Sequence, residues 1–219
     1  MQTAQALVET YFGNLEKGEF EKRTVQLIGD KKSLVKTKPI EQMHIGIAYP
    51  TVNRYDKTLD AVNAVNGVLG GTMSARLFQE VREKRGLAYS VYSYVSTYSE
   101  CGIQAIYAGV NPAQAEQAYE AILNVVKDLK EKGITEDEFL RSREQMKAST
   151  LFSNESSNSQ MLLYGKYMLH FNEVYDFSKR LDEINALTYK QALSAIEQMF
   201  DEKQKAIALV GNTDKAFPL

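Results

Sequence analysis

The chain has 219 residues, 44% of them hydrophobic and 25% charged, with a formal net charge of −2. That is enough apolar material for one sizeable domain, or one domain with an attached tail. The balanced charge gives no whole-chain field to draw nucleic acid or an anionic membrane, so neither is expected as a partner. A single cysteine, Cys101, excludes an internal disulfide framework and a cysteine-based zinc knuckle. No apolar run approaches the ~20 residues that span a bilayer. The N-terminus shows no basic-then-apolar signal pattern. A soluble, cytoplasmic protein is the expectation.

Ala4, Leu7, Val8, Tyr11 and Phe12 recur at helical spacing and set an apolar stripe on one face. Gly13 stands where that helix would stop. A helix starting almost at Met1 reads as the end of something cut from a longer chain. Residues 24–41 carry Lys31, Lys32, Lys36 and Lys38 among Ser, Thr and Pro, and read as a linker with one short strand, Thr24–Ile28. The globular part, 42–219, opens with a strand over Met43–Tyr49, closed by Pro50. A helix follows over Asp56–Leu69 with Leu59, Val62, Val65, Asn66 and Leu69 on one side. Gly70-Gly71 breaks it, and Thr72 or Ser74 can cap the next helix, Ala75–Arg85. Gly86 ends that helix. Ala88–Thr97 and Ile103–Val110 read as two strands joined by a turn at Glu100-Cys101-Gly102.

The second half is mostly helical. Asn111-Pro112 opens a helix whose core stripe is Ala115, Ala118, Tyr119, Ile122, Val125, Val126 and Leu129, ending at Gly133. Thr135 and Glu138 form a capping box for a long helix to about Ser153. Further helices are predicted over Gln160–Phe171, over Asp176–Ile184 and from Thr188 to Phe200. A last strand covers Ala206–Val210. This order suits an α+β fold: a mixed, largely antiparallel sheet with helices packed on one face.

Most catalytic chemistry is missing. Zinc hydrolysis needs several converging ligands, usually with histidine among them. Only His44 and His170 are available. His44 lies within an apolar strand and reads as a packed or edge histidine. His170 and Glu173 have His-x-x-Glu spacing, but Val174 stands where an inverted zinc motif needs its second histidine. No nucleophile elbow or phosphate loop appears. Gly70-Gly71-Thr72 could hold an anion, but a tight helix–helix turn is the simpler reading. Cys101 has no histidine near it in sequence to activate it. Glu136, Asp137 and Glu138 read as a charged first turn. Tyr89, Tyr92, Tyr94 and Tyr98 could stack bases, but without a basic surface a sheet face accounts for them better.

The segment from Leu77 to Ser93 has a clear logic. Leu77, Phe78 and Val81 bury one helical face, and Arg82 and Arg85 fall in the last turn, where cations suit the dipole. Gly86 permits the left-handed exit into a strand. Alternation then puts Tyr89 on the same face as Leu87 and Val91. A helix-end arginine and a strand-start tyrosine can converge on one point, and both donate hydrogen bonds. Such a pair suits a peptide carbonyl or a developing oxyanion. The alternative is that Arg82 caps the helix and pairs with a carboxylate elsewhere.

The run from Leu69 to Phe78, followed by Val81-Arg82-Glu83-Lys84-Arg85-Gly86-Leu87-Ala88-Tyr89, resembles the C-terminal half of the insulinase (pitrilysin) family of zinc metallopeptidases. That family includes the bacterial branch resembling the mitochondrial processing peptidase. The likeness extends through Gly102-Ile103, Asn111-Pro112, the Gly133–Glu138 capping box and Leu187-Thr188. Residues Thr3–Gly13 resemble the last helix of the preceding half, so the resemblance divides the chain into 1–23, the closing helix and tail of that half; 24–41, the linker; and 42–219, the non-zinc domain.

The resemblance implies a clam shell of two related halves closing around a peptide. Zinc belongs to the N-terminal half, and no cofactor or metal is expected in this chain. Arg82 and Tyr89 match the positions that hold the peptide carbonyl and assist catalysis by the other half. The chain would be a substrate-binding half of a zinc endopeptidase, inactive alone. The alternative is a non-catalytic regulatory or peptide-binding subunit partnering an active zinc subunit. A purely structural scaffold fits less well, because Arg82 and Tyr89 are both present. Expected partners are the N-terminal zinc-binding half or active subunit and a peptide substrate. A homodimer is a further expectation, because an isolated half exposes its partner face.

Overall fold

The computed structural model of the protein describes residues 2–16, 18, 32–213 and 217. Helix α1 covers Gln2–Phe12. Its apolar residues Leu7, Val8, Tyr11 and Phe12 are all exposed. The strand expected at Thr24–Ile28 lies outside the described residues.

Five strands form one sheet: β1 (Lys32–Thr37), β2 (Met43–Thr51), β3 (Ala88–Thr97), β4 (Gly102–Val110) and β5 (Ala206–Gly211). Their spatial order is β1-β5-β2-β4-β3. All pairs are antiparallel except β1 with β5. The mixed, largely antiparallel sheet is therefore as the sequence implies. One element departs from expectation. Lys32–Thr37, inside the segment read as linker, is an edge strand paired along its length with β5.

The helices are α2 (Leu59–Asn66), α3 (Ala115–Lys132), α4 (Glu136–Glu155), α5 (Ser157–Phe171), α6 (Phe177–Ala186) and α7 (Tyr189–Met199). Helix α7 lies against both α2 and α3, and all three pack on one face of the sheet. The predicted stripe of α3, from Ala115 to Leu129, is buried throughout. The Thr135–Glu138 capping box is present, and Asn111 accepts from the Ala113 N–H at 3.0 Å. Alternation in β2 sends Met43, Ile45, Ile47 and Tyr49 into the core. Among the described residues, the opposite face is open, and its residues follow from the register. One row reads Leu34, Ala208, Gly46, Tyr107 and Tyr92.

A small polar group lies between the helices and the sheet. Ser93 Oγ donates to Asn66 Oδ1 at 2.7 Å, and Gln104 Nε2 donates to the same oxygen at 2.9 Å. Ser93 and Gln104 are both buried. These bonds tie the end of α2 to β3 and β4.

Candidate functional site

The candidate site is assembled by two departures from regular helix and one from regular strand. Helix α2 passes into a π-helical turn over Gly67–Gly71, broken at Gly70 (φ −160°, ψ 17°). Gly70 lies against β3 so closely that a Cβ there would stand 2.6 Å from the Ser93 backbone nitrogen. The helix expected over Ala75–Arg85 is π-helical across Phe78–Glu83. Lys84 N–H donates to Gln79 O at 3.0 Å, five residues back. Such wide turns are rare and cluster at functional sites.

Gly86 has φ 62° and makes the exit. Its N–H donates to Arg82 O, and the Leu87 N–H donates to Val81 O, both at 2.9 Å. Each bond spans one residue more than in an ordinary Schellman cap, as a π-register ending requires.

The third departure corrects the predicted face of Tyr89. Register passes from Ala88 opposite Val110 to Ser90 opposite Gly109, so Tyr89 is the extra residue of a β-bulge. Leu87 and Val91 are buried, whereas Tyr89 is 76% exposed. The bulge turns Tyr89 out of the core face and toward Arg82. The Arg82 guanidinium carbon lies 5.8 Å from the Tyr89 ring centre and 4.8 Å from that of Phe78. Phe78, predicted only as a core residue, is also a shelf under Arg82; the i, i+4 spacing of aromatic and arginine was the available signal.

Among the described residues, no hydrogen bond or ion pair engages the Arg82 guanidinium or the Tyr89 hydroxyl. The carboxylate partner considered for Arg82 is not found among them. Both groups border an open cavity of about 500 Å³, together with Glu41, Gln42 and Asn111. Two donors of this kind at the mouth of a cavity can hold a carbonyl oxygen and favour it further as charge develops.

The other candidates are differently engaged. His44 Nδ1 is 2.7 Å from the Tyr107 hydroxyl. His170 Nε2 is 2.5 Å from Arg54 Nη1. The two histidines thus bind different partners on different elements. Among the described residues, no group of three or more His, Cys, Asp or Glu is placed to hold a metal ion. These donors do not fit a zinc site. Glu138 belongs to the capping box and also receives Arg76. Burial would raise its carboxyl, but hydrogen bonds from Arg76 and then from the Thr135 N–H hold it down at about 2. Tyr92 and Tyr94 lie half-exposed on the open sheet face. Among the described residues, no helix is long and apolar enough to cross a membrane.

Over residues 2–146 the chain matches the family described as the Peptidase M16 inactive domain. The match covers well over half of the chain, which therefore belongs to that family. It is 36% identical over 212 residues to a Bacillus subtilis protein named as the uncharacterized zinc protease YmxG, covering 93% of this chain and 49% of that one. A Streptomyces coelicolor protein, also named as an uncharacterized zinc protease, is 38% identical over 164 residues, with 75% of this chain and 34% of that one covered. The chain thus spans half or less of these relatives. Among solved structures, a Helicobacter pylori protease superposes with a TM-score of 0.81 at 19% identity, covering 95% of this chain and 52% of that one. A peptidase M16 inactive domain from Pseudomonas fluorescens gives 0.79 at 24% identity, covering 100% and 52%. At these identities the superpositions show the fold.

Proposed function

We propose that this chain is the substrate-holding half of a zinc-dependent endopeptidase, closing with a metal-bearing half around a peptide and inactive alone. The observation that carries the reading is the convergence of Arg82 and Tyr89 at one open cavity, with neither polar group engaged among the described residues. In this reading, the guanidinium and the phenol hydroxyl donate to the carbonyl oxygen of the scissile peptide. Their hydrogen bonds strengthen as that oxygen gains charge, so they favour the transition state over the bound substrate. Zinc and the attacking water belong to the other half, and this chain supplies no ligand to them. Relatives named as zinc proteases support that division. The exposed apolar residues Phe152, Met161 and Leu169 of α4 and α5 support a partner face, whether the other half or a second copy. A cytoplasmic setting belongs to the same reading.

The test is cleavage of a fluorogenic peptide by the two-half enzyme and by this chain alone. Chelator-sensitive turnover is expected only with both halves. Cleavage by the isolated chain, or full activity of the two-half enzyme carrying Arg82→Ala with Tyr89→Phe, would overturn the reading.

A further inference from the structure

The open face of the sheet is uneven in a way that the register makes explicit. Beyond the paired His44 and Val210 at the end nearest Gly109, its middle strands, β5 and β2, present Ala206, Ala208, Gly46 and Ala48. These small residues form a floor. On one side, Tyr107 stands opposite Gly46, and Tyr92 stands opposite Tyr107. Tyr94 follows on the same face. The rings make a continuous wall, with centres 5.1 Å apart for Tyr92 and Tyr107 and 6.2 Å for Tyr92 and Tyr94. Tyr107 is fixed at its far end, because its hydroxyl lies 2.7 Å from His44 Nδ1. On the other side, β1 is parallel to β5 and in register with it. That pairing places Lys32, Leu34 and Lys36 on the same open face. The trough from β1 to β4 spans three strand spacings, about 14 Å. One extended peptide fits across that width.

The charge on this face is one-sided. The open-face positions of all five strands include Lys32 and Lys36 and no carboxylate. At the β3 end the face runs on toward the Arg82 cavity. Gly109, opposite Ser90, lies beside both Gln42 of that cavity and the Tyr107 hydroxyl. A peptide held by its carbonyl at Arg82 and Tyr89 can therefore continue along the trough.

We propose that this trough is a side-chain subsite of the peptide substrate: its tyrosine wall takes a large aromatic residue, and its lysine rim favours a carboxylate beside it. The proposal rests on the substrate-holding role of the chain and adds a substrate class to it. Aromatic side chains gain from offset stacking on tyrosine faces beyond their burial alone. The glycine and alanine floor lets such a ring descend to the backbone. Basic peptides are disfavoured by Lys32 and Lys36.

The test uses the two-half enzyme and matched fluorogenic peptides differing at one position, Phe or Ala, each with a flanking Asp or Lys. The unaltered enzyme should favour Phe with Asp in kcat/KM by about fivefold or more. Tyr92→Ala with Tyr94→Ala, both half-exposed and so of small risk to folding, should erase most of the Phe preference. Ala208→Trp, which fills the floor, should cut cleavage of the Phe peptide more than that of the Ala peptide. Lys32→Glu with Lys36→Glu should reverse the preference for the flanking charge. Cleavage with no Phe preference, or with a preference these variants leave unchanged, overturns the subsite alone. Failure of the two-half enzyme to cleave any of the peptides overturns the substrate-holding reading and the subsite with it.

Discussion

Arg76 donates to Glu138 through two parallel hydrogen bonds, Nε to Oε1 and Nη2 to Oε2, each 2.7 Å long. Arg76 stands just before the π-helical turn that carries Arg82, and Glu138 is in the first turn of α4. The pair therefore fastens the candidate site to the helix layer. Glu138 also accepts from the Thr135 N–H at 2.7 Å. Removing its charge leaves Arg76 and a helix N-terminus short of an acceptor. Glu138→Gln is expected to destabilise the fold by about 1–3 kcal/mol at neutral pH, read as a lower denaturant midpoint at unchanged slope.

The same carboxylate predicts a pH dependence. Its pKa is about 2 in the fold, against an ordinary value of 4.5. A lowered folded-state pKa contributes stability above the unfolded value, and that contribution is lost as pH falls toward the folded one. The difference in Tm between the unaltered chain and Glu138→Gln should therefore shrink between pH 5 and pH 2.5, windows set about these two values. Calorimetry showing a constant difference would place the stabilisation elsewhere.

Two glycines near the site should respond differently to alanine. At Gly70 a Cβ would stand 2.6 Å from Ser93 N and 2.9 Å from Leu77 Cδ1. Backbone must move, so Gly70→Ala is expected to cost about 1–3 kcal/mol through overpacking. At Gly86 nothing lies within 4 Å, but φ is 62°. Gly86→Ala should cost about 1–2 kcal/mol from backbone strain, and Gly86→Asn less, because asparagine tolerates that region. Equal losses for Ala and Asn at residue 86 would contradict this account.

Arg82→Ala should leave stability nearly unchanged, because the side chain is exposed and makes only ring contacts among the described residues. In the two-half enzyme, turnover should nevertheless fall by about 100-fold, the usual effect of losing one oxyanion donor. Tyr89→Phe, which keeps the ring under Arg82, isolates the hydroxyl and should lower kcat more than it raises KM. A loss of Tm that accounts for the loss of rate would return Arg82 to a structural role.

Much of this architecture was readable before the structure, and the misses have physical causes. The Thr135–Glu138 capping box, the Asn111 cap and the buried stripe of α3 rest on local geometry, so spacing alone reveals them. β1 leaves little strand signal because, among the described residues, only β5 pairs with it, and its open face carries Lys32 and Lys36. Among its residues, Val35 is the apolar one packed against the core. The face of Tyr89 escapes simple alternation, which assumes one residue against one, because the bulge inserts a second. The π-register of Phe78–Glu83 keeps the same apolar residues inward and so left no mark in the pattern. The Arg76–Glu138 pair joins residues 62 apart, beyond the reach of local reasoning.

The polar group of Asn66, Ser93 and Gln104 makes the two borders of the sheet unequal. Among the described residues, β1 is attached to the sheet through β5 alone. β3 is equally an outer strand, but Ser93 bolts it to the end of α2. Local unfolding should begin at the lysine-bearing border and reach the tyrosine-bearing one last. Backbone amides of β1 would then exchange with solvent well before those around Ser93. Under the substrate-holding role proposed above, the strand that presents Tyr89 should keep its shape while the opposite border breathes, leaving the Arg82–Tyr89 pair undisturbed.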